Sequence, residues 1–274
     1  MGSGRRGAPP RFVLRDVSEK NRDGKRTARE RLAQEREKQK AAEKRRRTLI
    51  VGASGLCVLG LAAVIGVVAA NADKGDSADT SGPVVEPLGA NGEDSLAIPV
   101  GDAGARSTLT VWEDFRCPAC KSFEDAYRST IHELTEAGKL KVEYHLVTLI
   151  DGNMGGSGSR KAANAAACAQ NEGRFPAYHD VLYESQPAET NDDYASDSKL
   201  LDLAKKVDGL DSSAFRTCVE DGTHNSWVGK SNKAFQKGGF GGTPTVFLNG
   251  TNIYADRSMT PAKLKQMVEA KAKG

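Results

Sequence analysis

The chain is poorly supplied with residues for metal or imidazole chemistry: 274 residues hold five cysteines and four histidines. Two cysteines form the run Cys117-Pro118-Ala119-Cys120, and the other three, Cys57, Cys168 and Cys218, stand singly. A structural zinc needs four ligands around a tetrahedron, and no second Cys/His pair at ligand spacing completes one, so no metal site is expected. None of the histidines, His132, His145, His179 and His224, stands in a nucleophile–base motif. None is assigned to catalysis; His132 and His224 are expected at the surface, and His179 within helical packing. Charge is absent from residues 48–72, and apolar side chains are nearly absent from residues 16–47.

Each gap implies a different solvent. Residues 48–70 are 23 without a charge, enough to cross a bilayer core at 1.5 Å per residue, and Lys44 to Arg47 precede them directly. The positive-inside rule then leaves the N-terminus in the cytoplasm and the remainder outside. A cleaved signal peptide is the rival, since Ala70-Asn71-Ala72 offers a cleavage pattern; the long charged leader and long apolar run favour a single-pass anchor. Residues 1–47 carry 17 Lys/Arg against 7 Asp/Glu, a basic tail that is either a charged helix or disordered. The adjoining span accounts for this charge better than nucleic acid does, so no nucleic-acid partner is expected. Residues 71–96, rich in Gly, Ser, Asp and Pro, read as a flexible tether. Disulfides persist outside the membrane, and four of the five cysteines fall there.

The CPAC run lies between two regular elements. Upstream, residues 108–115 (TLTVWEDF) have the β-branched and aromatic content of a strand. Downstream, residues 120–139 carry Phe123, Tyr127, Ile131 and Leu134 at helical spacing. A cysteine at a helix N-terminus has its thiolate stabilised by unpaired N–H groups and the helix dipole. Pro118 suits the first helical turn, and Ala119 separates it from Cys120. Two thiols so spaced can close into a disulfide, which points to thiol–disulfide exchange.

Beyond this the pattern runs strand (140–149), loop (151–158), and helices at 159–172, 174–186, 198–207, 211–221 and 224–237. A hairpin over 245–254 then turns at Asn249-Gly250, and a last helix opens at Thr260-Pro261. Gly242-Thr243-Pro244 precedes the hairpin. Pro244 is either a cis proline facing the cysteines, leaving the Thr243 main chain free for a substrate strand, or an ordinary loop residue.

This order resembles the DsbA-like branch of the thioredoxin superfamily over residues 97–273. It does so through EDFRCPAC (113–120), AAAC (165–168) with Phe175 and His179, and GTPTVFLNG (242–250). The whole layout resembles the membrane-anchored extracytoplasmic thiol–disulfide oxidoreductases of Gram-positive bacteria. The resemblance implies an α/β thioredoxin fold at 97–150 and 240–274, a helical insertion at 151–239, a cis Pro244, Cys117 as exposed nucleophile and Cys120 as its buried partner. It also implies an activity on exported cysteine-containing proteins without metal or organic cofactor, reset by a membrane redox partner of quinone-linked type. A reductase or isomerase of the same fold, and a non-catalytic client-binding module, are the alternatives. Cys168 and Cys218 are expected to bridge, as in similar domains, with two buried thiols as the alternative. Two departures stand out. The acid that relatives bury six residues before the nucleophile is here Val111, leaving Glu113 or Asp114 as the relay, only one of which can face the site from a strand. Pro118-Ala119 also lacks the imidazole found in strongly oxidising relatives.

Overall fold

A computed structural model describes residues 82–273. The expected basic tail, the apolar span at 48–70 and the first part of the tether lie outside the described residues. Among the described residues no helix is long and apolar enough to cross a membrane.

Five strands form one mixed sheet: β1 (Ile98–Gly101), β2 (Ser107–Glu113), β3 (Leu140–Leu146), β4 (Thr245–Leu248) and β5 (Thr251–Asn252), in the order β1-β3-β2-β4-β5. β2 and β3 are parallel, with Val111 opposite Tyr144 and Glu113 opposite Leu146; the other pairings are antiparallel. A parallel pair needs a crossover, which α1 (Pro118–Glu136) supplies. α1 buries Cys120, Phe123, Ile131 and Leu134 and ends before Gly138, whose φ of 66° provides the left-handed residue that closes many helices. It therefore begins and ends a little earlier than its apolar spacing predicts.

Alternation along β2 sends Leu109 and Val111 into the main core, while Trp112 joins Val147 and Phe235 in a smaller cluster. The tight β4–β5 turn has Asn249 and Gly250 both at positive φ (52° and 83°), the geometry that made Asn-Gly a hairpin signal. β3 stops three residues short of the predicted end. There Asp114 accepts the Ile150 N–H at 2.8 Å and Asn232 accepts that of Thr148 at 3.1 Å, turning the chain into α2 (Leu149–Met154), where a loop was expected.

Five more helices follow before β4: α3 (Gly158–Asn171), α4 (Phe175–Glu184), α5 (Asp197–Ala204), α6 (Ser213–Glu220) and α7 (Asn225–Lys237). The last helix, α8 (Pro261–Lys273), packs against α1 and β2. Cys168 on α3 and Cys218 on α6 are joined in a disulfide.

The expected tether is corrected at its end. The Val85 carbonyl accepts from His224 Nδ1 at 2.8 Å, and Leu88 exchanges hydrogen bonds with Gln170 and Asn171. The Ser95 carbonyl accepts the Trp227 indole N–H at 2.8 Å. Side chains of the helical insertion thus satisfy the backbone of this stretch, which composition alone marks as free. His224, expected at the surface, is fully buried for the same reason.

Candidate active site

The turn from β2 into α1 is built by its own backbone first. Cys117 N–H donates to the Asp114 carbonyl (3.0 Å), Lys121 N–H to the Cys117 carbonyl (3.1 Å), and Arg116 N–H to the Asp114 carboxylate (2.8 Å). Cys117 is the N-cap of α1 and Pro118 its first residue, where a missing N–H costs nothing. Gln186, just beyond α4, donates from one Nε2 to the carbonyls of Phe115 (2.9 Å) and Cys117 (3.0 Å).

Arg116 ties this turn to the insertion. It is 2 % exposed and reaches Asp151 (2.7 Å), Asp192 (2.8 Å) and the Gly155 carbonyl (3.0 Å). Asp151 also accepts the N–H groups of Ser159 and Arg160, and Asp192 those of Ser157 and Gly158, so the start of α3 hangs on the same cluster. Removing one member of a buried ion pair strands the other. Arg116→Leu is expected to cost about 3 kcal/mol, measured by urea unfolding, although Arg116 touches neither thiol's sulfur.

Both thiols are free, and their environments differ in sign. Cys120 is fully buried, and burial first, with the neighbouring Cys117, holds its pKa well above the ordinary 9.0. Cys117 is lowered to about 6, chiefly by a hydrogen bond from Cys120, against the opposing effect of burial. Thr243 and the N–H groups of Cys120 and Ala119 help to lower it. The Cys117 thiol donates to the Thr243 carbonyl at 3.4 Å. Thr243 Oγ1 is buried without a hydrogen-bond partner. The Thr243–Pro244 peptide is cis, as the resemblance implies. One expectation is corrected: Cys117 is not an open nucleophile but only 6 % exposed, its thiol lying against the Thr243 carbonyl, while Pro118 beside it is exposed.

The two acids before the motif separate by role. Asp114 spends its carboxylate on the N–H groups of Arg116 and Ile150, and burial raises its pKa to about 7. Glu113 lies close enough to Cys120 for its charge to raise that thiol's pKa, and its Oε1 meets His179 Nε2 at 2.8 Å. His179 belongs to the insertion helix α4 yet reaches the sheet, a contact that sequence separation hid. Glu124 completes a fully buried cluster in which atoms of Glu113, Glu124 and His179 lie within 4.8 Å of one another. Burial raises Glu124 to about 8. Glu124 was legible in part: it stands four residues after Cys120, on the apolar face of α1, where a carboxylate is out of place. Cys168, Cys218 and His224 also converge, but both sulfurs are in the disulfide and offer no thiolate.

A cavity of about 270 Å³ is lined by Phe123, Tyr127, Ile253, Tyr254 and Met259 together with the polar Ser122, Asp256 and Arg257. Tyr254 feels the charge of both cysteines.

Residues 94–270 match the family described as Thioredoxin. The disulfide bond formation protein D of Bacillus subtilis is 27 % identical over 180 residues, covering 64 % of this chain and 77 % of that protein. The reduced disulfide bond oxidoreductase DsbG of Mycobacterium tuberculosis superposes with a TM-score of 0.57 at 26 % identity, over 68 % of this chain and 90 % of the other. Oxidised BdbD of Bacillus subtilis superposes with a TM-score of 0.54 at 25 % identity, over 70 % and 98 %.

Proposed function

This chain belongs to the thioredoxin family, and from that membership we propose that Cys117 and Cys120 are the exchange pair of a DsbA-like thiol–disulfide oxidoreductase acting on exported proteins. The observation that carries the reading is the opposed chemistry of two cysteines one helical turn apart. Cys117 is held as a thiolate near neutral pH, and Cys120 is kept protonated by burial. A thiolate is the attacking species in exchange, and the lower its pKa, the more stable the reduced form and the more oxidising the disulfide. The pair itself carries the two electrons, so the reaction calls for no metal or organic cofactor.

Thr243 and Pro244 border the nucleophile, and the Thr243 main chain offers an edge for an extended client by strand addition. Client side chains dock in the cavity beside Tyr254, whose wall is part aromatic and part charged. Glu113, rather than Asp114, takes the relay role left open by Val111, since both Asp114 oxygens already accept backbone N–H groups. Residues 48–70 anchor the chain in the cell membrane as a single span with the N-terminus cytoplasmic and the catalytic part outside. A membrane redox partner, of quinone-linked type, reoxidises the pair. Where that partner supplies electrons instead, the same site runs as a reductase or isomerase, a direction the missing imidazole of Pro118-Ala119 leaves open.

Alkylation kinetics test the assignment. In the reduced protein Cys117 should react with iodoacetamide with a midpoint near pH 6, and Cys120 should remain unmodified at pH 7. Equal rates for the two cysteines would sink the reading. A stability change of definite sign accompanies it. Between pH 6 and 9 the folded dithiol form binds fewer protons at Cys117 than the unfolded chain. The reduced protein therefore gains stability as pH rises through that window and loses it as pH falls toward 6. Urea midpoints of reduced protein, compared with oxidised protein across the window, measure it.

A further inference from the structure

Cys120 cannot resolve a mixed disulfide without losing its proton, and it has no exposure through which to lose it. The residues under it supply a route. Glu113 Oε1 lies 2.8 Å from His179 Nε2; the other ring nitrogen, Nδ1, lies 3.4 Å from Asp180 Oδ1; Asp180 Oδ2 lies 3.3 Å from Nε2 of His132. Asp180 is 19 % exposed and the His132 side chain 41 % exposed. The line therefore starts at Glu113, whose charge acts on the buried Cys120, crosses the insertion helix α4 and ends at the surface on α1. Glu113 Oε2 is buried without a partner, leaving a free acceptor at the inner end.

We propose that Glu113, His179, Asp180 and His132 form a path that carries the Cys120 proton to solvent when this thiol attacks a mixed disulfide on Cys117; the proposal rests on the reading of these cysteines as the exchange pair. Cys120 Sγ bonds to Cys117 Sγ, the bond from Cys117 to its partner's sulfur breaks, and the partner leaves as a thiolate carrying the two electrons. The Cys120 proton goes to Glu113. The neighbouring imidazolium releases its Nδ1 proton to Asp180 and on to His132, its lost positive charge offset by the neutralised Glu113. Imidazole suits this place because it takes and gives protons at different atoms.

Burial alone would lower the His179 pKa, but Glu113 and Asp180 hold it up at about 10, and neutralising Glu113 removes the largest part of that hold. Glu124 and Arg128 face this cluster from α1, Tyr144 from β3 and Tyr183 from α4. Arg128 Nε also sits 3.3 Å from Asp180, which keeps that carboxylate in place between the two histidines. The aromatic rings of Phe115, Tyr144 and Phe175 pack around the imidazole, and His179 is 2 % exposed.

Reaction of the reduced full-length protein, in detergent, with 5,5′-dithiobis(2-nitrobenzoate) separates the steps. The first nitrothiobenzoate released reports attack by Cys117, and the second reports resolution by Cys120. In Asp180→Asn and His179→Gln the second phase should slow roughly tenfold at pH 7 and become steeply dependent on pH, with the first phase unchanged. His132→Ala should show a smaller loss that added imidazole restores. An unaltered second phase in Asp180→Asn and His132→Ala would overturn the path, as would a slower phase with the native pH profile and no rescue. Both residues lie at the exposed end, so the test stands even where His179→Gln does not fold. Loss of the first phase's selectivity for Cys117 would instead overturn the exchange-pair reading.

Discussion

Cys117→Ser is expected to reduce disulfide transfer into a reduced client to the uncatalysed rate, with the fold intact. The serine hydroxyl does not ionise near neutral pH, so the hydrogen bonds from Cys120 and Thr243 that lower the Cys117 pKa have no anion to stabilise. Cys120→Ser should fail differently. Cys117 still attacks, but nothing inside the site resolves the product, and mixed disulfides with clients accumulate. Refolding of a reduced test protein reads the first outcome, and non-reducing gels of trapped adducts read the second. Full client refolding by Cys117→Ser would favour a binding module that uses the groove without the chemistry.

Loss of the Cys168–Cys218 bridge has the largest expected effect on stability. The bridge closes a separation of 50 residues between α3 and α6. Constraining a loop of that length in the unfolded chain contributes about 4 kcal/mol on the chain-entropy account. The double replacement Cys168→Ala, Cys218→Ala should therefore lower the melting temperature by roughly 10 °C for a domain of this size. Calorimetry of the two oxidised proteins measures the difference. The Cys117 alkylation rate should be unchanged, because neither half of the bridge is among the groups that lower the Cys117 pKa; a slowed rate would show that the insertion sets the nucleophile through it. A shift of only one or two degrees would mean that Val219, Phe215 and the alanine-rich face of α3 hold α6 in place without it.

The redox motif was legible because its signal is local. A strand, a Cys-Pro-Ala-Cys turn and an amphipathic helix are contiguous, and each obeys its own periodicity. The helices of the insertion and the Asn-Gly hairpin were legible for the same reason, whereas the cis Pro244 was legible only through the resemblance, since the residues alone left an ordinary loop proline open. Glu113 and Asp114 could be nominated together as substitutes for the acid that Val111 replaces, but neither could be chosen over the other. What separates the two in the structure is their partners: the N–H groups of Ile150 and Arg116 claim the Asp114 carboxylate, whereas Glu113 meets His179. Composition misread residues 85–96 and His224, since it registers a chain's own polarity and not the side chains of α3 and α7 that dock on it.

What the sequence by itself determined is the kind of chemistry: two thiols at a helix N-terminus, with no second ligand pair and no base motif to suggest another. What only the tertiary structure decided is how protons and access are managed around them. His179 lies 66 positions from Glu113 and Thr243 lies 126 from Cys117. No periodicity or spacing rule reaches that far. These contacts exist because β2 occupies the middle of the sheet, where β4 brings Thr243 to one side of the turn and the insertion lays α4 against the other.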